Sequence, residues 1–257
     1  MRTYIKKFEN ESEYAAFVNS SGFVTPNVSA WEIESGETVV NFNGTKPDVE
    51  VPYVDLGLPS GTLWAKENIK DENGNELYFA WGEVSGYTAE QVGIDKHFDW
   101  NDGTNDYIFG PFDWNDSINH GMTKYNNIDN KTTLDADDDA ATVKWGSDWK
   151  IPTIEQFDEL ISGTTSAWTQ VDSVSGVLLT SKYNDNTLFF PSLGSACLGE
   201  IFNGVIEGKY WIDSLENYEN DVLLANNFYF SEQYANIYCS SDNRFNGLSV
   251  RPVRKNS

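Results

Sequence analysis

The sequence predicts an α+β fold of short antiparallel strands and two helices, broken by a long insertion and preceded by a small N-terminal segment. Three observations support this. From Tyr53 onward, short strand-like runs recur between closely spaced turn residues. One helix carries both a start and a stop signal. Residues 86–130 are rich in Asn, Asp and Gly and lack a clear period, the mark of a functional loop or insertion.

In chain order, Asn10 with Glu13 three residues on forms a capping box, followed by an apolar stripe of Tyr14, Phe17 and Val18 and a stop at Gly22. Strands are expected over Phe23–Ile33 and Thr38–Phe42, separated by Glu-Ser-Gly-Glu. Asn43-Gly44-Thr45-Lys46-Pro47 is turn chemistry and marks a boundary. Residues 1–50 are therefore read as a small attachment or homo-oligomerisation segment, since a unit of roughly fifty residues buries too little surface to be very stable alone. Residues 51–257 are read as the ligand-binding domain. There, Thr153 caps a helix with Gln156 as its box partner; Ile154, Phe157, Leu160 and Ile161 supply its apolar face and Gly163 its stop. A second helix is expected over Asp135–Trp145. Strands are expected over Leu77–Trp81, Val177–Thr180, Leu188–Phe190, Val222–Phe230, Tyr234–Cys239 and Gly247–Pro252.

Charge narrows the function. Lys plus Arg number 17 against 40 Asp plus Glu, a net charge of −23. Such a surface repels phosphates, which excludes nucleic acid, and disfavours anionic lipid. No apolar run approaches the ~20 residues of a membrane helix, so no membrane insertion is expected. The opening residues hold charges but no apolar h-region, so no signal peptide is visible. Nine Trp argue against a disordered acidic tail. Cys197 and Cys239 fit one disulfide or two free thiols equally well.

Motifs for chemistry are sparse. Phe98-Asp99-Trp100-Asn101-Asp102 recurs as Phe112-Asp113-Trp114-Asn115-Asp116, and its oxygens suit Ca²⁺. An EF-hand starting at Asp99 would need Gly at 104 and Glu at 110, where the chain has Thr104 and Gly110. Asp135, Asp137, Asp138 and Asp139 suggest a metal cluster, yet they precede Ala140, Ala141, Val143 and Trp145, where acidic residues complement a helix start. No metal or cofactor is expected. The two histidines, His97 and His120, sit in the insertion, and no nucleophile elbow, zinc motif, Walker loop or dinucleotide fingerprint occurs. No catalytic residue is expected, although forty acidic residues always leave room for a glycosidase-type carboxylate pair.

The C-terminal part is richer. Between Ile212 and Asn246, Asn, Tyr, Ser and Asp make up 18 of 35 residues. Strand alternation sets Phe228, Phe230, Ala235, Ile237 and Cys239 on one face and Asn227, Tyr229, Ser231, Tyr234, Asn236, Tyr238 and Ser240 on the other. The second set has the composition of antibody paratopes, in which Tyr supplies area and Asn and Ser adaptable hydrogen bonds. An ordinary half-solvated strand pair would look the same.

Three stretches carry a family resemblance. The first is Tyr53-Val54-Asp55-Leu56-Gly57-Leu58-Pro59-Ser60-Gly61-Thr62-Leu63-Trp64-Ala65 with Tyr78-Phe79-Ala80-Trp81-Gly82-Glu83. The second is Asp138-Asp139-Ala140-Ala141, Trp145-Gly146-Ser147-Asp148-Trp149-Lys150-Ile151-Pro152-Thr153 and Glu159-Leu160. The third is Gly208-Lys209-Tyr210-Trp211 and Arg244-Phe245-Asn246-Gly247-Leu248-Ser249-Val250-Arg251-Pro252-Val253. Together, over residues 53–253, they resemble the Fibrobacter-type major paralogous domain. The resemblance implies a C-type lectin-like fold, and many members of that group are the variable proteins of diversity-generating retroelements, whose C-terminal part is rewritten at adenines to vary a ligand-binding surface. Random change at the adenines of an Asn codon yields Tyr, Asp, Ser and similar residues and never a stop, which matches the surplus. Glu216, Glu219, Glu232 and Gln233 are not reachable that way. The chain departs from related groups: it lacks the close cysteine pair of formylglycine-generating enzymes, and its Trp-Asn-Asp lies only in the insertion, so calcium-dependent sugar binding does not carry over.

The expected function is thus non-enzymatic ligand binding, receptor-binding or adhesin-like, on a phage tail (virion surface) or cell surface, toward a protein or glycan ligand. The alternatives are a calcium-dependent carbohydrate lectin and a cryptic glycan hydrolase. The expected variable face comprises Asp213, Asn217, Tyr218, Asn220, Asn227, Tyr229, Ser231, Tyr234, Asn236, Tyr238, Ser240, Asp242 and Asn243, exposed together. Trp64, Trp81, Trp149 and Trp211 are expected in the core.

Overall fold

The chain packs as two compact units, Met1–Glu50 and Val51–Ser257. A computed structural model describes the backbone of residues 4–8, 28–32 and 38–42, and residues 51–99, 107–110, 113, 115–116, 118–216, 222–233 and 237–255. In the first unit, β1 (Tyr4–Phe8), β2 (Val28–Glu32) and β3 (Thr38–Phe42) form an antiparallel sheet in the order β1-β3-β2. Val40 stands opposite Lys6 on one side and Ala30 on the other. The run expected at 38–42 is β3; that at 23–33 is seen as β2; β1 was not anticipated. The capping-box helix at 10–22 lies outside the described residues.

In the second unit the order is β4 (Tyr53–Asp55), β5 (Thr62–Ala65), α1 (Ala140–Trp145), α2 (Ile154–Gly163), β6 (Thr164–Val171), β7 (Val174–Ser181) and β8 (Thr187–Pro191). Then follow β9 (Ser195–Cys197), β10 (Glu200–Phe202), β11 (Glu207–Leu215), β12 (Leu224–Ser231), β13 (Ile237–Asn243) and β14 (Val253–Lys255). All pairings between these strands are antiparallel. The unit is α+β. Its two ends meet in one sheet, β14-β5-β4, where Val253 stands opposite Trp64.

Helix α2 forms as its sequence dictates. The Thr153 hydroxyl accepts from Gln156 N–H, the Gln156 side chain accepts from Thr153 N–H at 3.0 Å, and Phe157 and Leu160 turn inward. Helix α1 is shorter than expected, starting at Ala140. Asp139 alone caps it, accepting from Ala141 and Thr142 N–H at 2.8 and 3.0 Å. Asp135 and Asp138 instead engage Lys124, and Asp138 also accepts from the Tyr125 hydroxyl. The apolar runs at 77–81 and 247–252 are extended but do not make strands. Their partners are scattered, Tyr78 to Tyr87, Phe79 to Leu248, Gly247 to Ala196 and Ser249 to Tyr210, one bridge each.

Two cores lie on opposite faces of the β11-β12-β13 sheet. Tyr210, Ile212, Phe228 and Phe230 join Trp64, Phe157 and Phe190 on one face. Trp211 and Ala225 join Trp81, Tyr125, Trp149 and Leu248 on the other. The four motif tryptophans are at most 3% exposed, as expected. Trp81 Nε1 donates to the Ile212 carbonyl at 2.8 Å, and Trp211 Nε1 to the Phe79 carbonyl at 2.6 Å. Gly82 (φ +81°) lies against Phe109, where a Cβ would come within 2.5 Å of the ring.

The insertion is tied to this frame by buried polar contacts. Glu83 holds Lys96 at 2.9 Å, both side chains 3% exposed. Arg244 donates to the Tyr107 hydroxyl and to the carbonyls of Lys124, Tyr125 and Val222, with its guanidinium 5.1 Å from the centre of the Trp81 ring. Arg251 does the same for the β5 end, donating to Asn68 and to the carbonyls of Ala65 and Lys66.

Candidate binding face

The sheet β11-β12-β13 positions the face. Register sets Lys209, Tyr229 and Tyr238 in one row, Trp211, Asn227 and Ser240 in the next, and Ala225 with Asp242 beyond. Because side chains alternate, these rows share the face opposite Phe228 and Phe230. Gly208 permits the close packing beneath: a Cβ there would meet the Phe230 ring at 2.0 Å.

At the Tyr229 end the face is open. Tyr229 and Tyr238 rings lie 5.1 Å apart at 50°, Tyr238 is 46% exposed, and the Tyr229 hydroxyl donates to Glu207 at 3.1 Å. Lys209 spans β12 to reach Asp242 on β13 at 2.6 Å. Asp242 also accepts from Asn246 Nδ2 at 2.6 Å and from Asn243 N–H at 2.9 Å. Tyr229, Ser240, Asp242 and Asn243 are half-buried.

Four of the expected face residues are placed otherwise. Asn227 is 1% exposed, with both amide atoms buried and without a hydrogen-bond partner, because the second core extends over its row through Trp211 and Ala225. Ser231 is 6% exposed, at the β12 end facing Glu207. Asp213 follows the irregularity in β11 after Trp211 and is half-buried, within reach of Lys150, Asp139 and Glu155. Burial pushes its carboxyl up to about 7; Lys150 pulls the other way, and Asp139 and Glu155 reinforce the rise. Asn243 shares a row with Leu224 and so takes the opposite face from Tyr229 by alternation. Asn217, Tyr218, Asn220, Tyr234 and Asn236 lie outside the described residues. Lys209 and Glu207 were missed, although Gly208-Lys209-Tyr210-Trp211 sets Lys209 two residues from Trp211, on the same face of a strand.

Comparison with protein-family models, with curated proteins and with solved structures gave no match.

Other chemistry is limited. Cys197 and Cys239 are free thiols. Burial pushes both up, Cys239 to about 12 with Asp158 adding to the effect, which disfavours the reactive thiolate. Among the described residues, no group of three or more His, Cys, Asp and Glu side chains is placed to hold a metal ion. The loop aspartates instead accept backbone N–H groups: Asp116 from Ile118, Asn119 and Gly121, and Asp129 from Tyr125, Asn126 and Lys131. No described helix is long and apolar enough to cross a membrane.

Proposed function

We propose that residues 51–257 are a non-enzymatic ligand-binding domain of a phage tail or cell-surface protein. In this reading the scaffold is C-type lectin-like and displays a diversified C-terminal face. The observation that carries it is the contrast within one sheet. Trp211 on β11 is locked into the core, while two strands away on β13 Tyr238 stands half in solvent on Tyr229. Large amphipathic rings on a rigid support are what a binding surface needs, since little entropy is lost when they are covered.

Two experiments test it. The neighbouring DNA is expected to hold a near-copy of the segment encoding 212–246, differing at adenines, beside a reverse transcriptase; an absent copy removes the diversification part. The double variant Tyr229→Ser/Tyr238→Ser is expected to melt within a few degrees of the parent while ligand binding is lost. Severe unfolding would mean that these tyrosines serve the core.

A further inference from the structure

Phe202, the last residue of β10, and Val205 and Ile206 in the turn that leads to β11 stand 42%, 73% and 42% exposed. The turn is well formed. Ile206 and Glu207 N–H donate to the Asn203 carbonyl at 3.1 and 3.0 Å, Asn203 takes φ +57°, and its Nδ2 donates to Glu207 at 2.9 Å. Tight turns are ordinarily built from Gly, Asn, Asp and Ser. Three large apolar side chains in water at one such turn call for a partner, because exposed apolar patches rimmed by polar groups mark interaction surfaces.

The turn adjoins the tyrosine pair. The Ile206 carbonyl accepts from Glu232 N–H at 2.9 Å at the end of β12, and Glu207, the next residue, holds the Tyr229 hydroxyl. The surroundings are acidic. Glu207 opens the strand that leaves the turn, and Lys209, the cation of that strand, is paired with Asp242. Glu200 and Glu232 are exposed beside the turn.

We propose that this turn and the tyrosine pair form one docking surface for a basic protein, with apolar side chains meeting at its centre and partner Lys or Arg meeting Glu200, Glu207 and Glu232 at its rim. The inference rests on the ligand-binding reading above and adds the chemistry of the partner. An apolar centre within a polar rim is the usual anatomy of such interfaces. Charge complementarity selects the occupant: a second copy packed about a two-fold axis would bring the same glutamates together.

The test pans a display library of random peptides on the full chain and measures the selected sequences as free peptides. Selected peptides are expected to combine Lys or Arg with apolar residues and to bind more weakly as salt rises. The variant Val205→Ser/Ile206→Ser should weaken them about tenfold or more. Val205→Asp, at the most exposed position of the turn, serves as a second variant that leaves the fold intact. Neutral or acidic selected peptides overturn the proposal, as does a dimer in sedimentation that Val205→Asp dissolves. Binding that survives the turn variants but fails in Tyr229→Ser/Tyr238→Ser overturns this inference alone. Binding indifferent to all these positions overturns the ligand-binding reading of the face as well.

Discussion

Replacing Asp213 by Asn should stabilise the protein above neutral pH and lose that advantage in acid. The Asp213 carboxyl is half-buried on β11, and desolvation lifts it from 3.8 to about 7. The native state therefore holds the proton more tightly than the unfolded chain. Below the unfolded value both states are protonated and the residue has no effect. As pH rises from about 4 to about 7 the unfolded chain ionises first, so stability falls; the whole penalty is present above pH 7. At about 1.36 kcal/mol per pH unit, that rise sets a ceiling of about 4 kcal/mol. The part of the carboxyl that still meets water reduces this to about 2 kcal/mol. For a domain of this size such a gain corresponds to about 4–8 °C in Tm. Thermal melts of parent and Asp213→Asn from pH 4 to pH 8 measure it directly: the curves should meet near pH 4 and separate steadily upward. A variant that melts at or below the parent at pH 8, or a gap that ignores pH, would refute the reasoning.

Trp211→Ala should cost about 3–5 kcal/mol in denaturant unfolding, since it empties a core site and removes one of the two donors to the Phe79 carbonyl, the other being Leu248 N–H. Arg244→Met should cost about 3 kcal/mol or more by the same measurement, because the carbonyls of Lys124, Tyr125 and Val222 lose their guanidinium donor and the Tyr107 hydroxyl keeps only its bond to the Trp81 carbonyl. Chelation with EDTA should leave Tm unchanged, because Asp116 and Asp129 direct their oxygens to backbone N–H groups.

Local signals were legible where the chain satisfies itself locally. The capping box and apolar spacing of α2, and the runs of β7, β8 and β12, are written in adjacent residues. Strand β6 was not legible, because Thr164–Val171 is mostly solvated and carries almost no alternation. The runs at 77–81 and 247–252 looked like strands because they are apolar, yet their hydrogen bonds go to partners far apart in sequence. Alternation along β12 correctly separated Phe228 and Phe230 from Tyr229. It failed at Asn227, since a period of two says which face a residue takes and not what lies over that face. That cover comes from the 81, 125 and 149 regions, and no local pattern in β12 announces it.

The position of β11 between two cores has a consequence for how this unit melts. Tyr210 and Ile212 go to one core and Trp211 to the other, so neighbouring residues of one strand are anchored on opposite sides. Neither core can open without stripping packing from the same backbone. Two hydrophobic cores would ordinarily allow two transitions with separate enthalpies. Here the shared strand couples them, and calorimetry of residues 51–257 should record one transition whose van't Hoff and calorimetric enthalpies agree. Damage to either core then lowers the same midpoint, and heat leaves no half-folded remnant still displaying Tyr229 and Tyr238.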